Sequence, residues 1–222
     1  MQKKIRNIIF DLDGTLIDVS QGSYYLHLKC CNEFNIKPLN KPLYLELKAN
    51  GVSETQILQN KYSLTSSQSS AFLALRSRDI ESKDVLQNHQ LKEGTIELLE
   101  YLQKSELKIY LATFRRNISH LLDQLNNLMI SKYFYDVKCR ASFNNYEEND
   151  KSRMVRAWKL NLNETLMVGD TMVDARTAEM LGMQKIILKD GIFSEAFLAQ
   201  KINVNNFYHL SSIKNEVSKL LK

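Results

Sequence analysis

The residues best placed to do chemistry lie close to the amino terminus, in Ile8-Ile9-Phe10-Asp11-Leu12-Asp13-Gly14-Thr15-Leu16. A short apolar run stops at two carboxylates, a glycine and a threonine. The run reads as a strand buried on both faces, as at the centre of a parallel sheet. Side chains alternate along an extended chain, so Asp11 and Asp13 project to the same side as the strand ends. Gly14 lacks a Cβ, which lets the backbone turn and a ligand come close. Acids at the carboxyl end of a central strand stand where open α/β sheets bind ligands. Asp-Gly alone is an ordinary turn former; the longer string after three apolar residues is not.

Three later segments carry residues suited to phosphate chemistry. Leu111-Ala112-Thr113 offers a hydroxyl at a strand end, and the backbone N–H groups of Phe114 and Arg115 are expected to open the next helix as an anion site. Lys151 opens the helix that contains Trp158. Asp170 and Asp174 are spaced i, i+4 around a helix start and can lean toward one point. Each has a plainer reading. Thr113 can satisfy local backbone, Lys151 can be solvated, and the two acids can cap a helix and favour its dipole. Arg115-Arg116 is assigned to solvent and left out of the site.

The elements that must position these groups fall into two regions. Residues 17–90 read as helices with no convincing strand. Tyr24, Leu28 and Cys31 mark one amphipathic face, Pro38 and Pro42 break the chain, and a helix covers Leu43–Ala49. Ser53 with Gln56 forms a capping box, and Phe72 and Leu75 resume helical spacing after the serine-rich Ser63–Ser70 stretch. From Glu93 onward helix and strand alternate. Ile96, Leu99 and Leu102 share a helix face; Leu107–Ala112 is a strand; Ile118, Leu121, Leu122, Leu125 and Leu128 form a helical stripe. Asp136–Arg140, Leu166–Val168 and Lys185–Leu188 read as strands. Helices are expected around Met154, over Val173–Leu181 with Gly182 as C-cap, and from Ile213 to Leu221. Alternation of this kind implies an α/β fold, a doubly wound and mainly parallel sheet with helices on both faces.

Composition excludes several classes. The chain has 222 residues with a net charge of +5, and its basic residues are scattered apart from Lys3-Lys4-Ile5-Arg6 and Arg115-Arg116. Nucleic-acid binding needs a concentrated basic patch, and none is visible. No apolar stretch is long enough to span a bilayer, and the first apolar run is too short for a signal peptide. Three cysteines, two of them adjacent (Cys30, Cys31), argue against a disulfide framework and for a cytoplasmic protein. The four histidines show no metal-ligand spacing.

With Asp11-Leu-Asp13-Gly-Thr15, Thr113, Lys151 and Gly169-Asp170-x-x-x-Asp174 in this order, the chain resembles the haloacid dehalogenase-like superfamily, in its branch of small phosphatases similar to phosphoglycolate phosphatase. The resemblance spans essentially the whole chain. Residues 1–16 and 91–222 would be the catalytic core and residues 17–90 a helical cap inserted after the first strand. It implies Asp11 as nucleophile, Asp13 as general acid–base, and Thr113 and Lys151 as groups that hold and neutralise the phosphoryl oxygens. Gly14, Thr15 and Phe114 would line the phosphate site. Mg²⁺ would be held by Asp11, the Asp13 backbone carbonyl and Asp170, with Asp174 a ligand through water or a partner of Lys151. The partner would be a small phosphorylated metabolite, with no nucleic acid and no membrane. Many relatives have Lys-Pro where this chain has Lys151-Ser152, so Lys138 and Lys159 are rivals. Lys151 is preferred because it precedes an apolar-periodic helix upstream of the Gly169-Asp170 strand. The first strand end is expected to face solvent. A phosphomutase similar to β-phosphoglucomutase on the same scaffold is the alternative, and a phospho-accepting signalling or binding protein a more distant one. In the cap, Lys48, Asn50 and Glu54 near the Gly51 turn are expected to tune substrate choice.

Overall fold

The chain runs β1 (Asn7–Phe10), β2 (Ile17–Asp18), α1 (Ser20–Glu33), α2 (Lys41–Ala49), α3 (Glu54–Lys61), α4 (Ser66–Asp79), α5 (Lys83–Leu86), β3 (Gln90–Leu91), α6 (Thr95–Lys104), β4 (Lys108–Thr113) and α7 (Ile118–Asn127). It continues through β5 (Asp136–Cys139), α8 (Asp150–Arg156), β6 (Thr165–Gly169), α9 (Met172–Leu181), β7 (Gln184–Ile187), α10 (Glu195–Lys201) and α11 (Ile213–Leu220). This computed structural model describes residues 4–62, 64–140, 150–204 and 206–221. Lys3 of the basic run and Ser63 of the serine-rich stretch lie outside them.

The five-stranded sheet has the order β5-β4-β1-β6-β7, with every neighbouring pair parallel. From β1 the chain builds outward through β4 and β5, then returns to the other side of β1 as β6 and β7. The order therefore reverses beside β1, and all strands end at one edge. That is the geometry that opens a ligand crevice in doubly wound sheets.

Alternation along β1 divides the core. Ile8 and Phe10 join Leu99, Leu102, Leu121, Leu125, Ile213 and Val217 on the face covered by α6, α7 and α11. Ile9 joins Tyr110, Met154, Val155, Met167 and Ala178 on the opposite face, under α8 and α9. Full burial of Ile8, Ile9 and Phe10 contributes roughly 1.5–3 kcal/mol each relative to exposure, which fixes the depth at which Asp11 leaves the sheet.

Helices α1–α5 lie between β2 and β3 and have an apolar cluster of their own around Leu26, Cys30, Cys31, Leu58, Phe72 and Val85. The expectation of no strand in residues 17–90 is corrected at both ends. β2 and β3 pair antiparallel, Ile17 with Leu91 and Asp18 with Gln90, and are too short to show a period in sequence. Pro42 does not break the chain. It sits in the first turn of α2, where its missing N–H has no partner to lose, and the Asn40 side chain accepts from the Leu43 N–H at 3.0 Å. The capping box at Ser53 and Gln56 is present, and a second one joins Thr65 to Gln68.

Two helix faces are also corrected. α1 buries Gly22, Leu26, His27, Cys30 and Cys31, whereas Tyr24 and Leu28 are only half-buried. On α7, Leu121 and Leu125 are buried, while Ile118 and Leu122 are 41% and 43% exposed, so the apolar stripe is wider than the face the sheet covers. Gly182 ends α9 in the left-handed region, φ 64°.

Candidate active site

β1 delivers Asp11 to the carboxyl edge with its N–H bonded to the Val168 carbonyl at 2.9 Å. The strand end does not face solvent as expected: Asp11 is 6% exposed. Lys151, in α8, donates from Nζ to Asp11 Oδ1 at 2.7 Å and to Asp174 Oδ1 at 2.6 Å. The rival lysines are elsewhere. Lys138 lies 3.4 Å from Asp136 and over the Trp158 ring, and Lys159 is exposed.

β6 ends at Gly169, and Asp170 follows it, wholly buried. Thr15 donates its hydroxyl to Asp170 Oδ1 at 2.8 Å, and the Ile192 N–H donates to Oδ2 at 2.7 Å. Asp174 also takes the capping role: the Thr171 N–H and hydroxyl donate to its Oδ2 at 3.0 and 2.7 Å. Gly14 adopts φ +82°, and a Cβ there would collide with the Asp170 carboxylate, so both turn and close approach require glycine. Lys92 pins that turn, donating to the Gly14 carbonyl at 3.1 Å and pairing with Asp190 at 3.0 Å.

Carboxylate oxygens of Asp11, Asp170 and Asp174 lie within 4.8 Å of one another. Among the described residues these three buried acids share one ammonium, an excess of negative charge in a dry site. Burial, with Asp174 adding to it, pushes Asp170 up to about 7. Burial also raises Asp11, helped by Asp174 and Asp170 and opposed by Lys151. Burial would lower Lys151, but Asp11 and Asp174 outweigh it and the net shift is upward. A divalent cation with hard oxygen preference fits this donor set and removes the imbalance.

Asp13 is held differently, and here the sequence reading is corrected. Arg115 was assigned to solvent but is 5% exposed. Its Nε donates to Asp13 Oδ2 at 2.7 Å and its Nη2 to Oδ1 at 2.6 Å, a bidentate pair. Burial would raise the Asp13 carboxyl; the Arg115 guanidinium outweighs it and holds the acid below its usual range. Behind Arg115, Nη2 donates to Gln124 Oε1 at 3.3 Å and to His89 Nδ1 at 3.2 Å. His89 accepts at Nδ1, so its proton sits on Nε2, and burial pushes its pKa down to about 4. Arg116 does lie near the surface, paired with Glu81 at 3.4 Å.

Thr113 is buried at the end of β4, and its Oγ1 accepts from the Arg115 N–H at 3.4 Å. The helix expected to open at Phe114 and Arg115 begins only at Ile118, capped by Asn117, so their N–H groups form no helix terminus. The Phe114 ring instead lies 5.2 Å from Lys151 Nζ. Sequence reasoning missed Arg115 and Lys92. The alternation used for Asp11 and Asp13 would have put Arg115 on the side of Thr113; Lys92 has no comparable signal.

A cleft of about 1480 Å³ lies between this edge and helices α1–α5. Asp13, Gly14 and Arg115 line one wall, and Lys48, Glu54 and Arg76 the other. No helix of the described residues is long and apolar enough to cross a membrane.

Solved structures share this fold. A haloacid dehalogenase-like family hydrolase from Streptococcus pneumoniae superposes with a TM-score of 0.74 at 22% identity, over 96% of this chain and 98% of that one. A candidate phosphatase from Clostridium difficile gives 0.81 at 20% identity, over 97% and 99%. A protein predicted to be a phosphoglycolate phosphatase, from Haemophilus somnus, gives 0.73 at 19% identity, over 97% and 98%. No curated protein matches the chain in sequence. The family model described as haloacid dehalogenase-like hydrolase matches residues 8–188, from the first residues of β1 to the end of the last sheet strand, and the chain belongs to that family.

Proposed function

We propose that the chain is a Mg²⁺-dependent phosphatase that hydrolyses a small phosphorylated metabolite through an aspartyl-phosphate on Asp11. The observation that carries this reading is the placement of Asp11 on the central strand, bonded to Lys151 and within 4.8 Å of the Asp170 and Asp174 oxygens. Asp11, Asp170 and Asp174 would hold the cation, with the Asp13 backbone carbonyl. When bound, the ion offsets repulsion between carboxylate and phosphate and stabilises charge on the transferring phosphoryl group.

Asp11 Oδ attacks phosphorus, forming the acyl-phosphate while the bond to the ester oxygen breaks. Asp13 gives its proton to that oxygen, then takes one from the water that attacks phosphorus and frees Asp11. Arg115 keeps Asp13 ionised, the form needed in the second step; for the first, Asp13 takes up a proton and leaves Arg115. Lys151 neutralises phosphoryl oxygens while keeping Asp11 oriented. Thr113 and the Gly14–Thr15 turn border the same edge.

On this reading residues 17–90 form a cap over the core of residues 1–16 and 91–222, and the cleft is where a small ester is closed off from water. Buried cysteines outside any disulfide, Cys30 and Cys31 among them, suit the cytoplasmic setting that the reading assumes.

The test is phosphate release from a panel of phosphorylated metabolites with and without Mg²⁺, for wild type, Asp11→Asn and Asp13→Asn. Asp11→Asn should release none and leave no borohydride-reducible acyl-phosphate. Asp13→Asn should lose about 10²–10⁴-fold on alkyl esters and less on aryl phosphates, which need less protonation. Wild-type turnover by Asp11→Asn would falsify the nucleophile assignment, and phosphoryl transfer to a sugar in place of free phosphate would favour the mutase.

A further inference from the structure

We propose that Lys92 is a positioning residue for Asp170. Its ammonium ties together the two loops that hold this carboxylate, and so sets how tightly the site binds Mg²⁺. This rests on the reading above that Asp170 is a ligand of the cation.

Asp170 is gripped from two sides. The turn after β1 supplies the Thr15 hydroxyl to Oδ1 at 2.8 Å, and the loop after β7 supplies the Ile192 N–H to Oδ2 at 2.7 Å. Both loops press against the acid: a Cβ on Gly14 or on Gly191 would collide with the Asp170 side chain. Neither loop belongs to the sheet, so the sheet's register does not fix the distance between them. A group that touches both must do so.

Lys92 touches both. Its Nζ donates to the Gly14 carbonyl at 3.1 Å on one loop and to the Asp190 carbonyl at 2.6 Å on the other, and it pairs with Asp190 Oδ1 at 3.0 Å. The root of the side chain is fixed as well. Lys92 follows β3, and its N–H donates at 3.0 Å to the carbonyl of Leu16, the residue after Thr15. Asp190 is anchored from the far side. The Leu210 N–H donates to its Oδ2 at 3.2 Å, and the neighbouring Lys189 N–H donates to the Tyr208 carbonyl at 2.9 Å. A line of contacts thus runs from the last part of the chain through Asp190 and Lys92 to Gly14, and its two loops end on the two oxygens of Asp170.

The plainer reading is a lysine that lines the cleft to meet the substrate. An ammonium has three donors, and the three oxygens already in contact match that number. The side chain is only 11% exposed. Lys92 therefore meets a substrate only by letting go of a loop. Electrostatics alone also predicts the opposite sign. A cation near an acidic site repels a second cation, so deleting its charge should tighten Mg²⁺ binding. Deleting a support behind a metal ligand weakens it, by about 10–100-fold in known sites.

Calorimetric titration of the full chain with Mg²⁺ separates these readings. Lys92→Met should bind Mg²⁺ about tenfold more weakly than wild type, the lower end of that range. Lys92→Arg keeps the charge but replaces three tetrahedral donors with a planar fork. It should fall between the two, and it carries the test if the methionine variant is too unstable to titrate. Thr15→Val removes one of the bonds that Lys92 is held to steady. Lys92→Met should therefore cost less affinity in the Thr15→Val background than in wild type. Equal or tighter Mg²⁺ binding in Lys92→Met overturns the proposal, as does wild-type affinity in Lys92→Arg or strict additivity with Thr15→Val. A variant that loses stability with its Mg²⁺ affinity intact shows a structural brace and nothing more. Phosphate release is scored apart. Affinity that falls in the variants while no ester is hydrolysed keeps Lys92 in its role and sinks the phosphatase reading. Hydrolysis with equal affinity in wild type and Lys92→Met does the reverse, and a wild type that binds no Mg²⁺ overturns both.

Discussion

At the sheet's carboxyl edge three carboxylates, Asp11, Asp170 and Asp174, surround one ammonium, Lys151. Across the cleft two cations, Lys48 and Arg76, surround one carboxylate, Glu54. Among the described residues the first cluster is short of positive charge and the second of negative charge. They are also built differently. Asp11 and Asp170 leave adjacent parallel strands, whose register pairs Phe10 with Val168, so their spacing is fixed by the sheet. Lys48, Glu54 and Arg76 come from three helices, whose spacing depends on side-chain packing alone. A rigid site with a negative excess suits a metal and a covalent step. The positive excess lies on helices α2 to α4, apart from the strand ends that carry the acids.

The largest effect should come from deepening the imbalance at the sheet. Lys151→Met removes the ammonium that bonds both Asp11 and Asp174. Breaking one side of a buried ion pair costs about 3–5 kcal/mol, so in chelator the variant should unfold at clearly lower urea than wild type. Mg²⁺ should then restore more stability to the variant than it adds to wild type, because binding to the folded state alone is stabilising. Equal Mg²⁺ increments in both proteins would break the comparison, since Lys151 would not then be the counter-charge of the three carboxylates.

The contrast also explains what was legible beforehand. The groups at the sheet follow from short strings: an apolar run ending in Asp11 and Asp13, and another ending in Gly169-Asp170. There alternation and strand ends act over a few residues. The parallel sheet follows from the same alternation of helix and strand. Arg115 was misassigned because two adjacent arginines suggest a solvated pair, whereas in the fold one turns inward to Asp13 and the other outward to Glu81. Arg76 had no local signal: its partner lies in another helix, and only the packing of Phe72 in α4 against Leu26 and Leu58 brings it there. β2 and β3 are too short for any period to show, and Pro42 was read as a break because a first-turn proline and a loop proline look alike without a known helix start.

A mid-sized effect should appear behind Arg115. His89 is folded with a pKa of about 4, against 6.5 for the free side chain. Between these values the unfolded chain binds a proton that the folded one refuses. Stability therefore falls as pH drops from about 6.5 to about 4, by at most about 3 kcal/mol in total. His89→Gln should flatten the pH dependence of urea unfolding, most cleanly between pH 6.5 and 5, before most carboxylates titrate. An unchanged slope would mean that His89 is not held neutral beside Arg115, and the support behind Asp13 would need another origin.

The smallest effect should lie where the two regions touch at the surface. The Glu81 carboxylate accepts the Arg116 N–H at 2.9 Å and the Asn117 N–H at 2.8 Å, while the Arg116 guanidinium reaches Glu81 and Ser77. The His120 ring adds a bond from Nδ1 to the Glu81 carbonyl at 2.7 Å. The Arg116 side chain is 40% exposed, and exposed pairs are worth about 0.2–1 kcal/mol and are screened by salt. Arg116→Ala should therefore move the unfolding midpoint little, and less still in high salt. Glu81→Ala removes an acceptor from two backbone N–H groups just ahead of α7, where a carboxylate also favours the helix dipole. Its signature should be local: faster amide hydrogen exchange at Arg116 and Asn117, with the sheet amides unchanged. If Arg116→Ala costs as much as Lys151→Met, the surface contact holds α4 to the end of β4 as firmly as the buried ions hold the site. The helical wall would then be as fixed as the sheet it faces.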